Sequence, residues 1–238
     1  MPNSYFQFKK FRIEQGTSAM KVTTDACILG AWTPILPAVG RVLDIGTGTG
    51  LLALMLAQKN NDIIIEGIEI EPGAALQAGE NVAASFAKNN ITIVKTDILG
   101  FTGAGKYGLI ITNPPFFINS LKGNSEQKNL ARHNTAISFE DLLAAMDRNL
   151  TTDGYISILL PFDEQAIFER RAIEKGFVTV QKLLVHHTSE AKAKRVITIL
   201  ERSNNKICRE DKLVIYNNDN TYTTGFQELM APYYLNLA

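Results

Sequence analysis

The chain is poor in the residues from which disulfide scaffolds, metal centres and membrane anchors are made. Cysteine occurs only as Cys27 and Cys208 in 238 residues. So distant a pair fits neither a disulfide framework nor a zinc spacing, and it suits a reducing compartment. Histidine is limited to His133, His186 and His187. None has a cysteine, histidine or carboxylate partner at ligand spacing, so no metal is expected. Long apolar runs are missing too. The longest, Leu-Leu-Ala-Leu-Met-Leu-Ala at 51–57, is far short of a bilayer span, and no charged-then-apolar leader opens the sequence. A soluble, cytoplasmic protein without membrane contacts is expected. Charge of one sign is also absent, with 24 basic against 24 acidic side chains. No global field draws in a polyanion, so any nucleic-acid contact has to rest on local patches.

What is present is a globular composition, 45% hydrophobic, enough for a sizeable core in one domain. From Arg41 onward short apolar runs alternate with longer amphipathic segments, the pattern of βα units and a mainly parallel sheet. Candidate strands are 41–45, 63–70, 91–95, 108–112, 154–160, 178–185 and 196–201. The clearest helix begins at Ser138, where Ser-Phe-Glu-Asp is a capping-box pattern. Phe139, Leu142, Leu143, Met146 and Leu150 then line one face, and Asp153-Gly154 closes it. Both ends depart from the alternation. Residues 1–40 set Lys9, Lys10, Arg12 and Lys21 among Phe6, Phe8 and Phe11, and residues 203–238 carry the polar stretch Tyr216-Asn217-Asn218-Asp219-Asn220. Both read as additions to one domain, 1–238, around a core at 41–202.

Chemistry concentrates where the first strands end. Asp44-Ile45-Gly46-Thr47-Gly48-Thr49-Gly50 follows the first strand and precedes the helical run 51–58. Glycines at such a turn let a ligand approach the backbone, and the helix start offers free N–H donors. The spacing is G-x-G-x-G with Leu51 next, not the G-x-G-x-x-G of dinucleotide sites, which disfavours a nicotinamide oxidoreductase. Asp44 would repel a pyrophosphate but suits a cationic, amino-bearing ligand such as S-adenosylmethionine. Glu69 ends the second strand, where a carboxylate can accept from a ribose diol, with Glu71 as the competing choice. Asp97 ends the third, either to accept from an adenine amino group or to cap a turn. The fourth ends in Asn113-Pro114-Pro115-Phe116-Phe117. Two prolines make a rigid platform carrying an amide and aromatic rings, which can grip an NH2 group and stack on a flat base. All these residues fall on one carboxyl edge, where open α/β sheets bind ligands.

In these residues the chain resembles class I S-adenosylmethionine-dependent amino-methyltransferases, whose motif is Asn/Asp-Pro-Pro-Tyr/Phe. More specifically, Phe11-Arg12, Ala19-Met20-Lys21-Val22-Thr23-Thr24-Asp25 and Leu29-Gly30-Ala31-Trp32, followed by Arg41-Val42-Leu43-Asp44-Ile45-Gly46, closely resemble the bacterial tRNA1(Val) adenine-37 N6-methyltransferase family. The likeness runs through Ala131-Arg132 and Arg195-Val196 to Tyr233-Tyr234-Leu235. It implies a Rossmann-like class I methyltransferase sheet, mostly parallel with an antiparallel edge strand and helices on both faces. It also implies methylation of an adenine N6 in a tRNA anticodon loop. Asn113 and the Pro114 carbonyl would hold the amine on the platform that Pro115 completes, with Phe116 stacked on the base. S-adenosylmethionine would meet Thr23, Thr24, Asp25, Asp44, Gly46, Gly48, Gly50, Glu69, Asp97 and Asn113. The family often has Gly at Thr23 and Tyr at Phe116. For tRNA docking the candidates are Lys9, Lys10, Arg12 and Lys21, then Lys192, Lys194 and Arg195, and Arg132 in a polar loop. His133 reads as a surface residue, and His186 and His187 are given no chemistry. Two other readings stay open. One is an amino-methyltransferase acting on guanine N2 of ribosomal RNA or on a protein glutamine. The other is a non-catalytic RNA-binding protein that keeps the fold.

Overall fold

In a computed structural model the described residues are 4–16, 21–114, 137–203 and 207–237. The apolar runs form strands β3 (Arg41–Ile45), β4 (Ile64–Glu69), β5 (Ile91–Lys95), β6 (Tyr107–Thr112), β7 (Leu150–Pro161), β8 (Val178–His186) and β9 (Arg195–Glu201). Between them lie α2 (Leu51–Lys59), α3 (Pro72–Ala83), α4 (Phe139–Asn149) and α5 (Phe162–Glu174). The N-terminal segment contributes a hairpin, β1 (Tyr5–Gln7) and β2 (Arg12–Glu14), and α1 (Thr24–Trp32). The C-terminal segment contributes β10 (Arg209–Val214) and α6 (Thr224–Met230).

The large sheet runs β10-β8-β9-β7-β6-β3-β4-β5. Its strands are parallel except β9, which is antiparallel to both β7 and β8. The expected class is therefore the observed one, with one difference: the antiparallel strand lies inside the sheet, not at its edge. Both β8 and β10 lie beyond it. β10 escapes pattern reading because its sequence is Arg-Glu-Asp-Lys-Leu-Val and only Leu213 is buried. Charges on an outermost strand are what keep it from pairing with another chain. The three-residue strands of the hairpin are too short for any periodicity to register.

Local signals account for the helix that was clearest in the sequence. Ser138 Oγ accepts from the Asp141 N–H at 3.0 Å, and the buried face of α4 carries Phe139, Leu142, Leu143 and Met146. Leu150, expected on that face, instead opens β7, which starts there and not at Gly154. The run 51–57 becomes α2, buried along its whole length because the sheet covers one side and α1 the other. Their close approach depends on Gly30, where a Cβ would lie 2.8 Å from Met55 Sδ. The core has two clusters. One, around α1, α2 and both terminal segments, includes Phe8, Leu54, Phe226 and Tyr233. The other, under α4 and α5, includes Leu43, Ile110, Met146 and Phe168. No helix among the described residues is long and apolar enough to cross a membrane.

Candidate active site

The site begins at the carboxyl end of β3, which is hydrogen-bonded to β4 on one side and β6 on the other. The turn into α2 puts Gly46, Gly48 and Gly50 at φ 67°, 58° and 80°, the left-handed region that only glycine enters without a Cβ penalty. The Gly46 and Thr47 amides donate to Ile68 O at 2.9 and 3.0 Å, and the Gly50 amide donates to Thr47 O at 2.9 Å, so the loop is held to the end of β4. α2 then starts from Gly50 with no side-chain cap.

Asp44 is wholly buried. Its Oδ2 accepts from Thr47 Oγ1 at 2.6 Å, while the buried Oδ1 has no hydrogen-bond partner among the described residues. Burial pushes its pKa up from 3.8 to about 7, against the pull of the Thr47 hydroxyl and the Ala53 amide, and the charge of Glu69 adds to the rise. Room for this pair comes from Gly67, which stands opposite Asp44 in the β3–β4 ladder. A Cβ there would fall 2.9 Å from Thr47 Oγ1.

The two acids at the end of β4 have separate tasks. Glu69 accepts from the Gly48 amide through Oε2 and from the Glu71 amide through Oε1, both at 3.0 Å. Each oxygen keeps a further lone pair, so an oriented carboxylate stands at the glycine loop with acceptor capacity to spare. Glu71 is the N-cap of α3, accepting from the amides of Gly73 and Ala74. Asp97 is exposed, and its Oδ1 accepts from the Leu99 amide at 2.9 Å, which is the turn-cap arrangement.

β6 is pinned to β3 where both end, since Thr112 Oγ1 donates to Ile45 O at 2.9 Å. Asn113 follows at once, half-buried, and then Pro114, buried. Asn113 lines one pocket together with Gly46, Thr47, Gly48, Thr49, Lys21, Ala26, Leu51 and Leu52. Pro115, Phe116, Phe117, Arg132 and His133 lie outside the described residues.

The start of α1 forms another wall. Thr23, at the position where the family often has Gly, is the N-cap of α1 and accepts from the Ala26 amide at 3.2 Å. Thr24 is the first residue of α1, and Asp25 forms an ion pair with Arg195 at 3.2 Å. Lys21, a candidate for tRNA docking, lines the pocket beside the glycine loop. Two amides that pattern reading did not single out tie this region together. Gln15 Oε1 accepts from the Val22 amide at 2.9 Å. Asn81, on α3 and 3% exposed, accepts from the Glu14 amide and donates to Glu14 O and Thr49 O, each at 2.9 Å. It thereby joins β2 to the glycine loop. The only trace it leaves in the sequence is a polar residue on the inner face of a helix.

Most of the remaining basic candidates stand away from this pocket. Lys9 Nζ donates to Ala231 O at 2.6 Å, and Arg12 pairs with Glu14 at 2.6 Å while lying 3.7 Å over the Tyr5 ring. Lys10, Lys192 and Lys194 are exposed, the last two in the turn between β8 and β9.

Residues 33–180 match the family model described as the methyltransferase small domain. Over 236 residues the chain is 41% identical to a protein of Dyadobacter fermentans named tRNA1(Val) (adenine(37)-N6)-methyltransferase, covering 98% of each chain. A protein of Bacteroides thetaiotaomicron with the same name is 39% identical over 238 residues, the whole of both chains. The chain belongs to the tRNA1(Val) (adenine(37)-N6)-methyltransferase family. Among solved structures it is similar in fold to a predicted O-methyltransferase of Agrobacterium tumefaciens, with TM-score 0.66 and 16% identity over 88% of this chain and 96% of that one. It is likewise similar to a ribosomal protein L11 methylase of Lactobacillus delbrueckii subsp. bulgaricus, with TM-score 0.58 and 20% identity over 81% and 84%. The hairpin and the C-terminal segment lie outside the methyltransferase small domain but inside the stretch shared with these tRNA1(Val) methyltransferase relatives.

The site fits S-adenosylmethionine, the cofactor of this class. A buried carboxylate oxygen with no partner among the described residues, an oriented Glu69 with spare lone pairs, and a loop with three glycines at positive φ suit a ligand with a positive charge, a diol and an extended body.

Proposed function

We propose that this enzyme methylates N6 of an adenine in a tRNA anticodon loop, position 37 of tRNA1(Val), with S-adenosylmethionine as donor. The observation that carries the reading is Asn113, set at the end of β6 in one pocket with the glycine loop of β3. When bound, S-adenosylmethionine supplies an electrophilic methyl group on a sulfonium.

The difficulty lies in the acceptor, whose N6 lone pair is delocalised into the ring. Asn113 Oδ1 and the Pro114 carbonyl accept the two N6 protons, which turns the amine toward sp3 geometry and aims its lone pair. Glu69 and Asp44 would hold the donor, whose methyl group would pass to N6 as its bond to sulfur breaks, and the amine, acidic once methylated, would lose a proton to water. No strong base is required, and the protein's contribution is orientation and electrostatics. Glu69 takes the ribose hydroxyls, Asp44 offsets the positive charge of the donor, and Thr23, Thr24 and Asp25 border its amino-acid end. Pro115 and Phe116 complete the platform, as the family resemblance implies. The adenine leaves its stack to enter, and an aromatic receiver helps to offset that cost. The hairpin with Lys10 and Arg12, and the turn with Lys192 and Lys194, face the RNA. A tRNA substrate and two free cysteines suit the cytoplasm.

The test is incubation with methyl-labelled S-adenosylmethionine and unmodified tRNA, followed by mass spectrometry of the nucleosides. Label is expected in N6-methyladenosine. Label in a guanine of ribosomal RNA or in a protein glutamine, with none in tRNA, would move the substrate elsewhere.

A further inference from the structure

A second pocket lies on the same sheet edge, lined by Ser189, Val214, Tyr216, Asn217, Asn218 and Thr223. It sits where the parallel strands β8 and β10 end, at His186 and Val214. From Asn113, at the end of β6, it is three to four strand positions away. That is roughly 15–20 Å, about the length of five stacked nucleotides.

One lining residue, Tyr216, belongs to a file of aromatic rings that runs from the core to the surface. Phe226, fully buried, stacks on Tyr222 at 4.6 Å, and Tyr222 stacks on Tyr216 at 5.1 Å and 23°. His187, exposed, lies 4.9 Å from Tyr216. Core filling explains Phe226 and the inner side of Tyr222. It does not explain why the file continues through a half-exposed tyrosine to an exposed imidazole. The turn beside it is rigid. The Asn217 amide donates to Thr221 O at 2.8 Å, the Asn217 side chain donates to Thr221 Oγ1, and Asn220 holds φ at 65°. Ser189 and Asn218 add an exposed hydroxyl and amide at the rim.

We propose that this pocket takes an unpaired base of the same RNA whose adenine is methylated, an inference that rests on the reaction proposed above. Flat aromatic surface next to a hydroxyl and an amide is the chemistry by which proteins hold splayed-out bases. Nearby charge is balanced, with Lys192 and Lys194 set against Glu190 and Asp219. The pocket therefore contributes stacking and hydrogen bonds, not phosphate pairing.

Binding of unmodified tRNA by fluorescence anisotropy across a salt series tests this, with methylation and S-adenosylmethionine affinity measured alongside. His187→Ala and Tyr216→Leu are each expected to weaken tRNA binding about tenfold, with the salt slope and cofactor affinity unchanged. Tyr216→Phe, which keeps the flat face, binds as wild type. Wild-type affinity in both His187→Ala and Tyr216→Leu would overturn the proposal, as would an equal loss in Tyr216→Phe. Should Tyr216→Leu fail to fold, His187→Ala at an exposed position decides. A wild-type enzyme that binds tRNA but methylates no adenine would sink the proposed reaction, while the binding series would still decide the pocket. Absence of any tRNA binding would overturn both.

Discussion

In the proposed reaction Asn113 carries the heaviest chemical demand of any single side chain, because half of the grip on the amine would be its own. Asn113→Ala should lower kcat by about 100-fold or more, the usual cost of losing one preorganised polar contact in a reacting site. Cofactor affinity should change little. Single-turnover methylation and calorimetry separate the two, and a variant retaining more than half the wild-type rate would remove Asn113 from this role. Asp44 offers a different test because burial sets its proton. With a pKa of 3.8 when unfolded and about 7 when folded, it makes the native state hold a proton that the unfolded chain has lost. Stability from this group is thus fully present below about pH 4 and is lost as pH rises through about 7. The whole effect is on the order of 4 kcal/mol. Asp44→Asn keeps an acceptor for Thr47 but has no carboxylate to ionise, so its Tm should overtake that of the wild type between pH 5 and pH 8. A constant Tm difference over that range would refute the assignment. Wild-type affinity for cationic S-adenosylmethionine should rise over the same interval, because the ligand favours the carboxylate.

At the scale of elements, the N-terminal hairpin is the part whose placement depends most on a few bonds. β1 and β2 are three residues each, too short to be stable alone. Asn81 fastens them to the glycine loop by three hydrogen bonds in a nearly dry setting. Asn81→Ala strands the amide and carbonyl of Glu14 and the carbonyl of Thr49. Each buried group left unpaired costs about 1–3 kcal/mol, so a loss of about 3 kcal/mol in urea unfolding is expected. Hydrogen exchange should quicken at 12–15 before it does in β3 or β6. Exchange that stays slow in the hairpin while the rest of the protein is destabilised would show that other contacts hold it.

For the molecule as a whole, the two terminal segments pack as one. Lys9 N donates to Tyr233 O at 2.8 Å, and Phe8 forms a β-bridge with Tyr234. Gln58 Nε2, at the end of α2, donates to Pro232 O at 2.7 Å. Phe226, fully buried on α6, lies between Tyr222 and Tyr234 in this joint. Phe226→Ala should cost about 3–5 kcal/mol, the range for a large aromatic removed from a packed core. Because the joint also covers α1, the loss should appear as one cooperative transition in denaturant. A separate early transition confined to the C-terminal segment would argue that it is an appendage.

Much of the βα frame was legible beforehand, for a physical reason. Strands buried on both faces, such as β3 and β6, have to be continuous apolar runs; β3 and β5 have the expected bounds, and β4, β6, β8 and β9 differ by single residues at their ends. A glycine loop that needs positive φ has to be spelled in glycines. Three things were not legible. β10 is a polar edge strand whose pairing with β8 depends on a backbone ladder and not on side-chain pattern. Whether Glu69 or Glu71 would turn to the loop depended on where α3 begins, since Glu71 is spent on its first amides. Nothing local announced that Asn81 would reach Glu14, 67 residues away. Sequence by itself determined which chemical groups are present and which end of the sheet carries them, because both follow from local backbone rules. Only the tertiary structure decided which of those groups meet, because a hydrogen bond between distant residues forms or fails within a few tenths of an ångström that no local pattern encodes.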